Sequence, residues 1–173
     1  MIQGRSVILK LVRERKFVEP VDKNSVGEVS VDLKLGRVLK MYTKRLDLRV
    51  GAKAKKREIS NSGMWLEPGD FVIGCTLEKV SIPAGYWGFL ETKGNIARAG
   101  ISVHNSDGHI DPGYRGVVTL EIKNQNTVPV KIYPEMKIAQ LFLFGIKGKA
   151  GIYSGKYQDS LEPTIFVPDG IAE

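Results

Sequence analysis

The sequence predicts an all-β domain with one short N-terminal helix. Short runs of apolar and β-branched residues are separated by glycine, proline, asparagine and aspartate, and helical periodicity is almost absent after the first residues. Turn signals recur about every ten residues from Met64 onward, which is typical of sandwiches, jelly rolls and small barrels. The 173 residues suffice for one domain, 1–173, with its own core.

The N-terminal part is predicted to contain the helix and a first strand. Ser6 is placed to cap a helix over residues 7–15, whose apolar residues form one stripe. Residues 29–42 alternate in polarity and favour a strand, with Gly36 as a bulge or bend. Asp32 is expected on the polar side of this strand or in a turn there.

A basic segment follows at residues 43–63. It has few apolar residues, and we expect a solvated, mobile excursion. Its basic residues before residue 58 are Lys44, Arg45, Arg49, Lys53, Lys55, Lys56 and Arg57.

Regular strand and turn signals occupy the rest of the chain up to Gly145. Strands are predicted over residues 71–80, 86–91, 117–123, 128–133 and 137–144. Turns are predicted at residues 67–70, 82–85, 111–113, 124–126 and 134–135. Residues 146–173 are rich in glycine, lysine and tyrosine and predict a flexible C-terminal arm.

Composition excludes several classes of function. The formal charge of +7 favours anionic ligands, but no nucleic-acid motif occurs, so we expect phosphorylated small molecules and no nucleic acid. Two histidines and the single Cys75 cannot build the His/Cys/Cys zinc site of one large group of deaminases, so no zinc is expected. No apolar run approaches a membrane span, and a lone cysteine suits the cytoplasm, the expected location. Acid–base chemistry by carboxylates remains, with arginine and lysine for phosphate.

The central stretch, residues 104–124, carries two carboxylates that suit this chemistry. Asp111 begins an Asp-Pro-Gly turn, and Glu121 lies on a predicted strand whose alternate residues Val118, Leu120 and Ile122 face the core. Glu121 therefore points away from the core, where it can meet Asp111 in one pocket. The simpler alternative is that Asp111 only starts the turn and that Glu121 is a solvated strand residue.

Four blocks of the sequence, taken in order, resemble the dCTP deaminase and dUTPase superfamily. They are SVDLKLG at 30–36, GHIDPGYRGVVTLEIKN at 108–124, YPEMKIAQL at 133–141 and GKYQ at 155–158. The resemblance implies a β-clip or distorted jelly-roll-like fold and a homotrimer with active sites at subunit boundaries. It also implies a deoxynucleoside triphosphate as substrate, with Mg²⁺ bound through the phosphates and not directly by the protein.

The resemblance also implies roles for residues of the central block. In dUTPases the carboxylate matching Asp111 activates water against the α-phosphate, and the aromatic residue matching Tyr114 packs on the deoxyribose. In dCTP deaminases the residue matching Glu121, in the sequence Thr119-Leu120-Glu121, transfers protons during attack of water on the cytosine. Arg98 matches an arginine beside that water. Because a glutamate is a weak base at neutral pH, this role requires a partly dry or anionic pocket.

The second motif departs from the superfamily pattern. Lys93-Gly94-Asn95 stands where an Arg-Ser-Ser or Arg-Ser-Gly sequence is usual. Lys93 keeps the positive charge without the guanidinium fork, and Gly94 lacks the hydroxyl but retains a backbone N–H for an anion.

Two loop residues and the tail complete the set of candidate residues. Asn105 is a candidate for reading a base edge and His109 for contacting phosphate, although such loop residues are more often structural or merely exposed. Lys156 matches the phosphate-binding lysine of the tail and Tyr153 its tyrosine, whereas Ser160 replaces the usual glutamine.

Three functions therefore stay open from the sequence. The first is a dCTP deaminase, with or without further hydrolysis to dUMP, and Glu121 favours it. The second is a dUTPase. The third is a related protein that binds nucleotide without turnover, which Gly94 and Ser160 suggest.

Overall fold

Antiparallel strands make up most of the secondary structure. The computed structural model describes residues 1–168. The helices are α1 (Arg5–Arg15) and α2 (Gly94–Arg98), and a short 3₁₀ turn covers Lys23–Ser25. The strands are β1 (Val18–Glu19), β2 (Ser30–Lys34), β3 (Val38–Tyr42), β4 (Ala54–Glu58), β5 (Met64–Leu66), β6 (Phe71–Ser81), β7 (Tyr86–Thr92), β8 (Ile101–Ser102), β9 (His109–Ile110), β10 (Arg115–Asn124), β11 (Val130–Ile132) and β12 (Lys137–Gly145).

These strands form two larger sheets and a two-stranded ribbon. The first sheet has the order β4-β3-β6-β10-β8, with β1 also paired to β6. The second has the order β2-β12-β7-β9, and β5 pairs with β11. Every pairing between these strands is antiparallel. The predicted all-β class with a short N-terminal helix is confirmed.

The core draws on both larger sheets. Along β10, Val118, Leu120 and Ile122 are buried, as the alternation in the sequence predicts. They belong to one hydrophobic cluster that also contains Leu33 of β2 and Leu141 of β12. Burial of these alternate residues leaves the intervening residues of β10 on the opposite face.

Helix α1 begins earlier than predicted, and Ser6 does not cap it. Gly4 occupies the N-cap position, and its carbonyl accepts hydrogen bonds from the backbone N–H groups of Val7 and Ile8. No side chain caps this end of the helix. Ser6 therefore lies inside the first turn, because the chain enters the helix at Gly4.

The strand predicted over residues 29–42 is split into β2 and β3 at Gly36. The backbone N–H of Gly36 donates to the Cys75 carbonyl at 2.8 Å. A Cβ atom at this position would lie 3.1 Å from the same oxygen, so the close approach favours glycine.

Residues 43–63 are not wholly irregular, contrary to the expectation of a solvated excursion. They include β4, which pairs with β3 at the edge of the larger sheet. Four of its five residues are exposed, and this explains why its sequence, AKKRE, lacks the alternation of a half-buried strand. Ile59, directly after β4, is buried and anchors the segment.

The C-terminal arm, residues 146–168 of the expected 146–173, packs on the body of the domain. The Tyr153 N–H donates to the Pro112 carbonyl at 2.8 Å, and the Val117 N–H donates to the Ser160 carbonyl at 2.9 Å. The Phe166 N–H reaches the Tyr42 hydroxyl at 3.1 Å. The arm therefore runs alongside β10. The last residues, 169–173, lie outside the described part of the chain.

Candidate active site

A cleft of about 430 Å³ lies beside β10. Ionisable and aromatic side chains make up most of its lining. The acidic and imidazole groups are Asp107, Asp111, Glu121, His104 and His109, and the aromatic ones are Tyr42, Phe71, Tyr114, Tyr153, Tyr157 and Phe166. Such a combination of ring-stacking surfaces and a few ionisable groups is typical of small-molecule sites.

Asp111 and Glu121 both line this cleft, so the structure brings the two central carboxylates together. Glu121 is half-buried on β10, and its Oε2 accepts a hydrogen bond from the Asn105 N–H at 2.6 Å. The Glu121 N–H in turn donates to the Val103 carbonyl at 2.8 Å. A backbone amide on a neighbouring segment therefore fixes the orientation of the Glu121 carboxylate.

Asn105 contacts Glu121 through its backbone N–H, whereas the sequence suggested a role for its side-chain amide. Its side chain is exposed, and Asn105 is not among the described residues that line the cleft. The next residue, Ser106, has φ 71°, so the loop turns sharply just after the amide that holds Glu121.

The Asp-Pro-Gly turn places an aromatic wall beside the carboxylates. The Tyr114 N–H donates to the Asp111 carbonyl at 3.2 Å, and Gly113 has φ 83°. A Cβ on Gly113 would meet the Ile152 side chain at 2.3 Å, so both the backbone angle and the space require glycine. The Tyr114 hydroxyl donates to the Val117 carbonyl at 2.6 Å, and burial raises the pKa of this phenol.

Tyr153 and Thr119 connect the cleft to the C-terminal arm. The rings of Tyr114 and Tyr153 meet edge to face, with centroids 5.7 Å apart. The Thr119 hydroxyl oxygen accepts from the Thr164 N–H at 3.1 Å and lies 3.0 Å from the Thr164 hydroxyl. Both predicted residues therefore line the cleft; Tyr153 belongs to the arm, and Thr119 contacts the arm through Thr164.

The two histidines differ in their surroundings. His109 is exposed, and its Nδ1 lies 2.8 Å from Asp107 Oδ1. His104 is largely buried, and its Nε2 lies 3.1 Å from Glu91 Oε2 on β7. His104 was not identified from the sequence, although it begins the central stretch and is one of only two histidines.

The second motif lies outside the cleft of its own chain. Gly94, Asn95 and Arg98 belong to α2, and Lys93 is its N-cap residue. All three residues on the helix are exposed, and none of the four lines the cleft. The described chain thus does not bring Arg98 and Glu121 into one pocket.

Lys93 instead belongs to what we call the basic corner, formed by Asp32, Lys93, Lys137 and Gln140. The Lys93 Nζ donates to Asp32 Oδ1 at 2.8 Å, and the Lys137 Nζ lies 3.3 Å from Asp32 Oδ2. Gln140, paired with Asp32 across β2 and β12, donates to Oδ1 at 3.1 Å. Asp32 and Gln140 were missed as site residues, although both lie within blocks that carry the family resemblance.

Lys156 lies on the arm and is not among the described residues that line the cleft. Its Nζ donates to the Val167 carbonyl at 2.9 Å and lies 5.3 Å from the centre of the Tyr157 ring. Because Tyr157 itself lines the cleft, Lys156 sits behind one of the aromatic walls.

A family model described as dCTP deaminase-like matches residues 2–146. This chain belongs to the dCTP deaminase-like family. It is 32% identical over 177 residues to "dCTP deaminase, dUMP-forming" of Parafrankia sp. (strain EAN1pec), covering 95% of this chain and 88% of the relative. It is 34% identical over 160 residues to the protein of the same name in Corynebacterium jeikeium (strain K411), covering 85% of each.

Solved structures confirm the expected distorted jelly-roll-like fold of this dCTP deaminase-like chain. The 2′-deoxycytidine 5′-triphosphate deaminase from Agrobacterium tumefaciens has a TM-score of 0.66 at 21% identity. The match covers 82% of this chain and 47% of the other, so this chain spans about half the length of that one. The D95N dUTPase from phage phi11 of S. aureus has a TM-score of 0.52 at 18% identity, covering 90% and 97%.

Residues 1–168 contain neither a metal-binding cluster of side chains nor a helix that could cross a membrane. No group of three or more His, Cys, Asp or Glu side chains in that range is placed to hold a metal ion. None of the helices described there has the length and apolar character to cross a membrane. Cys75 is buried, and burial raises the pKa of its thiol to about 11, so the thiol is a packing group.

Proposed function

We propose that this dCTP deaminase-like chain hydrolyses dCTP to dUTP and ammonia. One observation carries the proposal. The Glu121 carboxylate lies half-buried in a cleft with aromatic walls, and the Asn105 N–H orients it. A carboxylate fixed beside a pocket large enough for a nucleoside is suited to general acid–base catalysis.

Glu121 is the proton carrier in this reaction. It accepts a proton from water as the oxygen adds to C4 of cytosine, and it passes that proton to N3. A proton from the added hydroxyl then goes, through Glu121, to the amino group, and the C4–N bond breaks to release ammonia. The Asn105 N–H stabilises the ionised carboxylate that starts and ends the cycle.

Asp111 supports a second step, in which dUTP is hydrolysed to dUMP and diphosphate. The names of the relatives, "dCTP deaminase, dUMP-forming", favour this extension. Asp111 is exposed at the cleft, where its carboxylate is free to take a proton from water that attacks the α-phosphate. Mg²⁺ would be held by the phosphate oxygens, and its charge would neutralise the diphosphate that leaves.

A homotrimer is part of the proposal, because one chain does not assemble the whole set of candidate residues. Arg98 and Lys93 lie outside the cleft that contains Glu121. We infer that α2 of a neighbouring copy completes each cleft, with Arg98 beside the attacking water and Lys93 near the phosphates. We expect this assembly to work in the cytoplasm, where its nucleotide substrates are found.

Separate incubations with dCTP and with dUTP test the proposal. Ammonia released from dCTP supports deamination, and diphosphate formed from both nucleotides supports the second step. No ammonia from dCTP, with diphosphate formed from dUTP, would instead identify a dUTPase. That second candidate is favoured by Asp111 and Tyr114, which lie together at the cleft on one turn.

A third candidate is a protein that binds the nucleotide without turning it over. Gly94 favours it, because a glycine there supplies no hydroxyl for water or phosphate. Binding of dCTP without any product, equal in the wild type and in Glu121→Gln, would support this candidate. Product formation by the wild type rules it out.

A further inference from the structure

The net charge of the chain is concentrated in one hairpin, residues 38–58, which we call the basic hairpin. It consists of β3, β4 and the loop that joins them. Its eight Lys and Arg side chains and two carboxylates give a formal charge of +6, whereas the whole chain carries +7. The other 152 residues therefore carry only +1. A charge localised in this way attracts polyanions to one edge of the molecule.

Most cations of the basic hairpin have no carboxylate partner in the described part of the chain. Within residues 1–168, the hairpin forms ion pairs only through Lys40 and Lys56, both with Glu162 of the arm. The other six cations are all exposed: Lys44, Arg45, Arg49, Lys53, Lys55 and Arg57. Because like charges held close together repel one another, an anionic partner would stabilise this edge of the sheet.

Two aliphatic side chains stand at the tip of the basic hairpin. The N–H groups of Val50 and Gly51 donate to the Asp47 carbonyl at 3.1 and 2.8 Å. The Arg49 N–H donates to the Asp47 carboxylate at 2.8 Å. Asp47 therefore closes an ordered turn, and this turn holds Leu48 and Val50 in solvent, 67% and 76% exposed.

This combination of cations and aliphatic side chains fits the surface of an anionic lipid bilayer. At such a surface, lysine and arginine bind the headgroups, and aliphatic side chains enter the boundary with the acyl chains. A nucleic acid fits less well, because single strands stack on exposed aromatic rings. The one aromatic residue of the hairpin, Tyr42, is half-buried and stacked on Phe71.

A second copy of this chain also fits less well than a lipid surface. The part of the chain outside the basic hairpin carries only +1, so it offers no excess of negative charge to a neighbouring hairpin. Two hairpins of +6 would repel each other. The charge therefore favours a partner from outside the assembly.

We propose that the basic hairpin docks this protein on an anionic lipid bilayer. Leu48 and Val50 enter the boundary between headgroups and acyl chains, and the exposed cations of the hairpin contact lipid phosphates. This inference goes beyond the proposed function and does not depend on it, because docking requires neither nucleotide nor turnover.

Co-sedimentation of the full chain with lipid vesicles tests the docking. We expect binding to vesicles of phosphatidylglycerol and phosphatidylcholine in equal parts, and binding about tenfold weaker or less to phosphatidylcholine alone. Substituting Leu48→Ser and Val50→Ser together should weaken binding to the anionic vesicles about tenfold. Substituting Lys55→Gln and Arg57→Gln together should weaken it by a similar factor, about tenfold.

Matched control variants lie outside the hairpin. Val128→Ser removes an aliphatic side chain that is 54% exposed, and Lys123→Gln removes an exposed cation near the end of β10. Both should bind the anionic vesicles as the wild type does. No binding, equal binding to neutral and anionic vesicles, or equal losses in hairpin and control variants would overturn the inference.

A fluorescent label measures insertion of the tip directly. Because the single natural cysteine, Cys75, is buried, an environment-sensitive dye can be attached selectively to Val50→Cys. Its emission should shift to shorter wavelength with the anionic vesicles, whereas the same dye on Val128→Cys should not shift. An unshifted emission at residue 50 in protein that has sedimented with the vesicles would overturn the insertion of the tip.

A DNA duplex and an RNA oligonucleotide, tested at the same salt concentration, separate lipid from nucleic acid. We expect either to bind more weakly than the anionic vesicles. Tighter binding of a nucleic acid would overturn the inference if Lys55→Gln with Arg57→Gln weakened it and Leu48→Ser with Val50→Ser did not. The basic hairpin would then be a nucleic-acid surface.

Discussion

The cleft beside β10 and the basic corner differ in how their charged groups are satisfied. In the cleft, a backbone amide orients Glu121, and the buried Nδ1 of His104 has no hydrogen-bond partner among residues 1–168. In the basic corner, the Asp32 carboxylate is shared by Lys93, Lys137 and Gln140. The Glu121 carboxylate therefore stands at the cleft without a cation, whereas the two lysines of the corner are already paired with Asp32.

This difference suggests a division of the site. A neutral base that exchanges protons suits the cleft, where a few atoms must be placed accurately. A triphosphate suits the corner, where the lysines can replace their contacts to Asp32 with contacts to phosphate oxygens. If both parts serve one ligand, the cleft should control the rate and the corner should control the affinity.

The largest expected effect is loss of deamination in Glu121→Gln. The amide cannot accept and return a proton, so ammonia release from dCTP should fall by about 10²- to 10⁴-fold. Its oxygen can still accept from the Asn105 N–H, so the thermal unfolding temperature should be little changed. Ammonia release and calorimetric unfolding measure the two effects. Retention of the rate would show that another group carries the protons.

Mixing two inactive variants tests whether the cleft meets α2 of a neighbouring copy across a subunit boundary. Glu121→Gln damages the cleft and Arg98→Gln damages α2, and each homotrimer should be inactive alone. When the two chains are co-expressed with different tags, each trimer that carries both tags should have an intact cleft and an intact α2 at about a third of its sites. Ammonia release from the doubly purified trimers measures the recovery.

A site built within one chain would give a different result. If each site were built within one chain, every site in the mixed assembly would carry one of the two substitutions. No activity above that of the separate variants would then be recovered, although the assembly was formed. Such a result would contradict the proposed placement of α2 beside a neighbour's cleft.

Local patterns in the sequence predicted much of the cleft. The alternation of Val118, Leu120 and Ile122 placed Glu121 on the outer face of β10, and the Asp-Pro-Gly turn placed Asp111 and Tyr114 nearby. These predictions depend on neighbouring residues only, so the sequence contains what is needed. The position of Arg98 outside the cleft could not be predicted in this way, because it depends on how α2 packs against β8.

The basic corner and His104 were missed for the same reason. Asp32 and Gln140 lie 108 residues apart in the sequence, and only the pairing of β2 with β12 brings them together. Glu91 and His104 are likewise joined through the fold, and neither residue belongs to a local pattern. The edge strand β4 was missed because both of its faces are largely exposed, which removes the alternation that marks a strand.

A smaller effect is expected from Lys93→Met in the basic corner. The substitution removes one cation, while Lys137 still pairs with Asp32, so the fold should be kept. If the corner binds phosphate, the KM for dCTP should rise about tenfold, equivalent to about 1.4 kcal/mol, with a much smaller change in kcat. Steady-state kinetics measure both. Lys123→Met, at an exposed position near the end of β10, is the control. An unchanged KM for Lys93→Met would remove the corner from the site.

The smallest expected effect concerns a carboxylate that belongs to neither region. Glu78 on β6 is 3% exposed, and its Oε2 accepts from the Lys34 N–H at 2.8 Å. Desolvation raises the pKa of this carboxyl above its ordinary value of 4.5. The hydrogen bonds it accepts from backbone N–H groups and the charges of Lys34 and Lys137 lower the pKa, but by less. A raised pKa in the folded state means that the neutral form is favoured by folding.

Glu78→Gln should therefore stabilise the protein at neutral pH. The stability contributed by protonation is fully present below the unfolded pKa and is lost as the pH rises through the folded pKa. The neutral amide keeps an acceptor for the Lys34 N–H and avoids the buried charge, so its advantage should grow from about pH 4.5 upward. We expect the unfolding temperature at pH 7.5 to rise by about 2 °C and that at pH 4 to stay unchanged. A lower unfolding temperature at pH 7.5 would show that Lys34 and Lys137 stabilise the charge more than burial destabilises it, making Glu78 an extension of the basic corner.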